Sequence, residues 1–228
     1  MTDRPRTRSI VSQGSLEEVE MEIALNKLHR NVIPLAIHLI RNNVKFIVSA
    51  GSVVHFKGDA IVNAANTGCL GGGGVDGAIN EAGGPELEEA RQALPVIGGM
   101  KRCLTGDAVV TVGGKLKSKW CIHAVGPNYY LCSSQEEGDK LLASAYKNAL
   151  LRAEEKGVKS LAFSLLSSGI FRGSRSLSDI LRIGVKSIAD NTYEGLEEVN
   201  MVAFTDAEQR VLIKAADEIL GENENNNE

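Results

Sequence analysis

No lysine- or arginine-rich block stands anywhere in this chain: 25 basic residues face 29 acidic ones, for a net charge of -4. Nucleic-acid binding driven by counterion release is therefore not expected. The four cysteines, Cys69, Cys103, Cys121 and Cys132, lack C-x-x-C spacing, and no paired histidines accompany them. That excludes a zinc knuckle or a disulfide framework as the expected reading, and no metal or cofactor is predicted. No apolar run approaches the roughly 18 residues of a membrane span, and the N-terminus has no signal-peptide hydrophobic region. Arg4, Arg6 and Arg8 are offset by Asp3 and by Glu17, Glu18 and Glu20, so organelle targeting is not expected. Neither a G-K-[ST] phosphate-loop signature nor an internal repeat occurs.

What is present is 228 residues, 43% hydrophobic and 24% charged, enough for one sizeable domain. The expected protein is a monomer of the cytoplasm or nucleus. Residues 1 to 14 read as disordered, 15 to 43 as a helical extension, 44 to 221 as the main domain, and 222 to 228 as a disordered tail of Glu and Asn. The extension carries two helix-like patterns, Leu16 to His29 and Ile33 to Arg41. From Lys45 onward strand-like runs at Phe46-Ile47-Val48, Ala60-Ile61-Val62, Val109 to Val112, Trp120 to Val125, Leu161 to Leu166 and Val199 to Phe204 are separated by helix-like ones. This alternation predicts an α/β fold with a mixed, largely parallel sheet covered on both faces. Helix signals are sharp near the end: Ser176 precedes an apolar face of Leu177, Ile180, Leu181, Gly184, Val185 and Ile188. Thr205-x-x-Glu208 forms a capping box before the last helix, and another helix spans about Asp139 to Lys156.

Two strand-to-helix turns carry the functional signal. After Ala60-Ile61-Val62 come Asn63-Ala64-Ala65-Asn66 and then Gly71-Gly72-Gly73-Gly74-Val75-Asp76. Successive glycines leave main-chain N–H groups unshielded, and the helix that follows adds the positive end of its dipole, a combination suited to a phosphate. The run Gly72-x-Gly74-x-x-Gly77 also satisfies the dinucleotide fingerprint literally. Its position eight residues past the strand, with Glu88 and Glu89 on a helix, argues against a nicotinamide-binding fold. The second turn, Ser167-Ser168-Gly169-Ile170-Phe171-Arg172-Gly173, again follows a strand and precedes a helix. Among other candidates, His123 reads as a satisfied sheet residue and Cys69 as loop packing.

Together these motifs, with Cys121-Ile122-His123-Ala124-Val125-Gly126-Pro127 between them, resemble the macrodomain family, in particular its MacroD-type branch, over about residues 45 to 220. The resemblance implies a three-layer α/β/α macrodomain that binds ADP-ribose or ADP-ribosylated proteins. It also implies hydrolysis of the ester joining ADP-ribose to acidic side chains, or of O-acetyl-ADP-ribose. A non-catalytic ADP-ribose reader and an ADP-ribose 1″-phosphate phosphatase remain alternatives. By the same resemblance Gly72, Gly73, Gly74 and Val75 hold one phosphate, and Ser168, Gly169, Ile170 and Phe171 the other, with Phe171 against the distal ribose. Asn66 and Asp76 are the implied catalytic pair, one on the ribose hydroxyls and one on the attacking water. Ser52, Val53, Asn63 and Ala65 complete the implied ligand-binding set. The chain departs from the family pattern in three places. Gly51-Ser52-Val53 replaces G-D-[IV], Asn80 stands where a histidine is frequent, and Arg172-Gly173-Ser174-Arg175 replaces G-Y-P, leaving two arginines for the pyrophosphate or for solvent.

Overall fold

The computed structural model describes residues 32 to 221. The expected disordered start, the helix-like Leu16 to His29 and the terminal tail lie outside them. Seven strands form one sheet in the order β1-β2-β7-β6-β3-β5-β4. In chain order they are β1 Val32–Ile40, β2 Val44–Gly51, β3 Ala60–Ala64, β4 Ala108–Val112, β5 Trp120–Ala124, β6 Ser160–Ser164 and β7 Glu198–Ala203. The helices are α1 Gly74–Gln92, α2 Gln135–Glu155, α3 Leu177–Asp190 and α4 Asp206–Leu220. Strands β2, β7, β6, β3 and β5 run parallel, and the two edges, β1 and β4, are antiparallel to their neighbours. The sheet is thus mixed and largely parallel, as the sequence predicts.

The larger core lies between the sheet and α2, α3 and α4, built on Phe46, Val62, Phe163, Tyr146, Leu181 and Leu212. The smaller one, with Ile61, Cys121, Ala162, Ile79 and Leu87, packs α1 on the opposite face. Two helical layers therefore sandwich the sheet, and the ends of all five parallel strands open at one edge. That edge is where an open α/β sheet leaves a crevice for ligand.

One expectation fails. Ile33 to Arg41 is not an α-helix: Ile33 to Ile40 fall within β1, which pairs antiparallel with β2, from Val32 opposite Gly51 to Ile40 opposite Val44, with an irregularity between Pro34 and Ala36, and Arg41 opens a three-residue turn. The extension's second half therefore belongs to the sheet. The reason is physical: Val-Ile-Pro-Leu-Ala-Ile-His-Leu-Ile is apolar at nearly every position, so a helical spacing can be read into it as easily as an alternating one. The hydrogen bonds offered by β2 decide between them.

The last two helix starts are those the sequence marks, and α2 begins at Gln135, four residues before the expected Asp139. Ser134 accepts from the Glu137 N–H at 3.2 Å and Ser176 from Asp179 at 3.0 Å, while Thr205 and Glu208 make the full capping box. Helix α1 is the exception. Its N-cap is Gly73, which has no side chain to cap with.

Candidate functional site

The glycine-rich turn leaves β3 and the second turn leaves β6. These strands are hydrogen-bonded parallel neighbours, with Ala60, Ile61 and Val62 opposite Leu161, Ala162 and Phe163. Loop 1 (65–73) and loop 2 (165–176) therefore rise side by side from the same sheet edge. Among the described residues, no protein acceptor takes the N–H of Gly72, Gly73, Gly74 or Val75, nor that of Gly169, Ile170 or Phe171. Ser168 N–H makes only a long 3.5 Å bond to the Leu165 carbonyl. Unpaired main-chain donors this numerous, around an uncapped helix start, favour an anion.

Asn66 and Phe171, one from each loop, line a common cavity of about 250 Å³ with Thr67, Thr105, Asn128 and Leu131. A larger groove of about 520 Å³ lies between α2 and α3, but its walls are exposed helix surface without converging main-chain donors. The loops are the better candidate site on chemistry.

Beneath loop 1 lies a buried polar network. Asp76 Oδ1 accepts from Asn63 Nδ2 at 2.7 Å and from Arg91 Nη2 at 2.8 Å, and the Arg91 side chain is wholly buried. Arg91 Nε also donates to the Cys69 carbonyl at 2.5 Å, and Nη1 to Asn80 Oδ1 at 3.3 Å. Asn63 Nδ2 lies 3.1 Å from His123 Nδ1, and His123 Nε2 lies 2.9 Å from Thr111 Oγ1. With Nδ1 accepting from the amide, Nε2 carries the proton. Burial first, and the positive charge of Arg91 second, push the His123 pKa down from 6.5 to about 3, so the ring is neutral.

These contacts place the expected residues. Asn63 has no exposed surface; its Nδ2 supports Asp76 from below, and its Oδ1 has no partner. Asp76 is 3% exposed; only Oδ2, which has no partner, is uncommitted. Asn66 holds the shape of its own loop, donating to the Gly71 carbonyl at 2.8 Å and accepting from Gly68 N–H at 3.0 Å. Ala65 is buried, its N–H on the Ala124 carbonyl at 2.9 Å, and Val53 is buried too. Ser52 lies just past the end of β2 and is half-buried. Both arginines of loop 2 have protein partners. Arg172 donates to the carbonyls of Ser168 and Arg175, and Arg175 is held by Asp139 and Asp179.

Two features went unread in the sequence. Phe204 is 74% exposed immediately after β7, one strand from Ser52, where a phenylalanine has no core to join. Its signal was an aromatic residue standing directly before a capping box. Cys69 and Cys103 share a small cluster with Ala65 and Val125, the Cys69 thiol donating to the Asn66 carbonyl at 3.4 Å and the Cys103 thiol to the Leu104 carbonyl at 3.6 Å. The neighbouring Cys103 thiol, aided by Arg91 and Arg102 against burial and Asp76, holds the Cys69 pKa below the ordinary thiol value. All four cysteines are free, and among the described residues no group of three or more His, Cys, Asp or Glu could hold a metal.

The sequence profile of the macro domain matches residues 62–178. A macro domain-containing protein of Caldanaerobacter subterraneus is 42% identical over 183 residues, covering 79% of this chain and 99% of that protein. The chain belongs to the macro domain family. An O-acetyl-ADP-ribose deacetylase of Escherichia fergusonii is 42% identical across 63% of this macrodomain and 77% of its own length. Among solved structures, the Oceanobacillus iheyensis macrodomain with ADP superposes with a TM-score of 0.74 at 29% identity, over 82% of this chain and 97% of the other.

Proposed function

We propose that this macrodomain binds ADP-ribose and hydrolyses the carboxylic ester that links its distal ribose to an acetyl group or to an acidic side chain. The observation that carries the reading is the pair of unpartnered amide runs, Gly72 to Val75 and Gly169 to Phe171, rising from adjacent strands. Each hydrogen bond to a charged oxygen contributes about 1.5–3 kcal/mol, so a handful give micromolar affinity after the entropic cost of association. Phe204 offers an exposed ring to the base beside Ser52, and Asn66 and Phe171 face the distal ribose. The deacetylase relative supports the ester as the bond that is cleaved.

The chemistry needs little from side chains. When water attacks the anomeric carbon of the distal ribose, the C1″–O bond breaks and the carboxylate leaves with its electron pair, requiring no acid, so the catalytic demand is to hold one water at that carbon and to accept its proton. Asp76 is poorly suited to take it, since it is buried and paired with Arg91; Asn80 cannot. In this reading a phosphate oxygen held by loop 1 receives the proton, and Asp76 positions the loop, with Oδ2 as its one contact toward water. Asp76→Asn, which keeps the acceptor at Oδ1 but removes the charge that pairs Arg91, then retains much of the turnover per folded molecule at lower stability, whereas Asp76→Ala lowers affinity and rate together.

The same commitment of Asp76 and Asn80 favours a second reading, an ADP-ribose reader without turnover. One preparation decides between them. Calorimetric titration with ADP-ribose is combined with hydrolysis assays on O-acetyl-ADP-ribose and on a glutamate-ADP-ribosylated protein. Binding with release of product supports the hydrolase, binding without release the reader, and failure to bind removes both.

A further inference from the structure

The sequence offers Arg175 to the pyrophosphate or to solvent, and the structure surrounds it with acceptors. Its guanidinium grips Asp139 of α2 in a two-pronged pair, Nε to Oδ1 at 3.1 Å and Nη2 to Oδ2 at 2.7 Å. Nη1 reaches Asp179 at 2.9 Å and Gln135 at 3.3 Å. Asp139 also accepts from the Tyr129 hydroxyl at 2.8 Å, and Tyr129 N–H donates to the Phe171 carbonyl at 2.8 Å. The Tyr129 ring can approach α2 closely because position 138 is glycine: a Cβ there would stand 2.5 Å from a ring carbon. The chain of contacts therefore closes on itself, from Phe171 to Tyr129 to Asp139 to Arg175 and back along the loop through Arg172, which bonds the carbonyls of Ser168 and Arg175 at 3.1 and 3.0 Å.

We propose that Arg175, acting through Asp139 and Tyr129, is a positioning residue that fixes the N–H groups of Gly169, Ile170 and Phe171 in the geometry needed to hold a pyrophosphate. The inference rests on the binding function proposed above and adds to it the means by which loop 2 is held without a rigid proline. A planar guanidinium suits the task because its fork fixes direction as well as distance. The ring of contacts bears on the binding step. It reaches ligand through the main-chain donors of loop 2 and through Phe171, whose ring lines the same cavity as Asn66, and none of its hydrogen bonds is made with Asn66 or Asp76.

The test compares wild type with Arg175→Ala, Arg175→Lys and Tyr129→Phe, measuring ADP-ribose affinity by calorimetry, KM and kcat on O-acetyl-ADP-ribose, and melting temperature. Arg175→Ala should weaken ADP-ribose binding and raise KM by about tenfold, with kcat at saturation within about twofold of wild type. Arg175→Lys, which keeps the charge and loses the fork, should fall between them, and Tyr129→Phe should follow in the same direction. If Arg175→Ala does not fold, the other two variants carry the comparison. Affinities within twofold of wild type in every folded variant, or a fall in kcat as large as the rise in KM, would overturn the proposal. Wild-type protein that fails to bind ADP-ribose would instead remove the functional reading beneath it.

Discussion

Loops 1 and 2 present similar rows of amides and are anchored in opposite ways. Loop 1 is held from inside. Arg91, with no exposed surface, ties Asp76, Asn80 and the Cys69 carbonyl into one desolvated network that continues through Asn63 to His123. Loop 2 is held from the rim by a fork whose partners are 21% and 29% exposed. A buried charge left unpaired is expensive, whereas a partly hydrated pair loses little when broken. The difference teaches that one ligand can rest on two supports with unlike failure modes: loss of the inner one costs the fold, loss of the outer one costs the grip.

Arg91→Met tests this contrast most severely. With Asp76 stranded in a dry interior, unfolding free energy should fall by about 3–5 kcal/mol, measured by urea titration, and Asp76→Asn in the same chain should restore part of it. Equal stability losses for Arg91→Met and Arg175→Ala would erase the distinction between the supports.

Acid should act on the inner support through His123. His123 has a folded pKa of about 3, below the ordinary 6.5. Between those values the unfolded chain takes up a proton that the native ring refuses, so stability is fully present above pH 6.5 and declines as pH falls. The decline should be on the order of 1 kcal/mol per pH unit through that window, read from urea midpoints at pH 7, 5 and 4. His123→Gln should flatten the slope; a slope that persists unchanged would assign it to other groups.

Gly77→Ala is the mildest probe and touches loop 1 only. A Cβ at this position would lie 2.7 Å from the Gly72 carbonyl, so the loop must shift while the network below stays in place. Affinity for ADP-ribose should drop by about tenfold, seen by calorimetry, with stability lowered by less than in Arg91→Met.

Much of this was legible beforehand, because local rules and the fold agree. The parallel strands, the Ser176 cap, the Thr205–Glu208 box and both glycine turns each leave a signature within a few residues. The rest depends on distant partners. Edge strand β1 takes its identity from β2, and no spacing within Ile33 to Arg41 announces it. Arg91 and Arg175 look like any helix or loop arginine until Asp76, 15 residues away, and Asp139, 36 residues away, are brought to them. Asn63 reads as a ligand contact from its place in the motif, and its bond to Asp76 beneath the loop shows only once the strand is folded.

The bare start of α1 carries a thermal signature. Three other helices in the described residues begin under a hydroxyl lid, and this one leaves its first donors to water. Whatever anion settles there finishes the helix, so heat tolerance should climb with ligand concentration by simple mass action. A melting curve would then serve as a gauge of occupancy, and the molecule would be at its sturdiest only when in use.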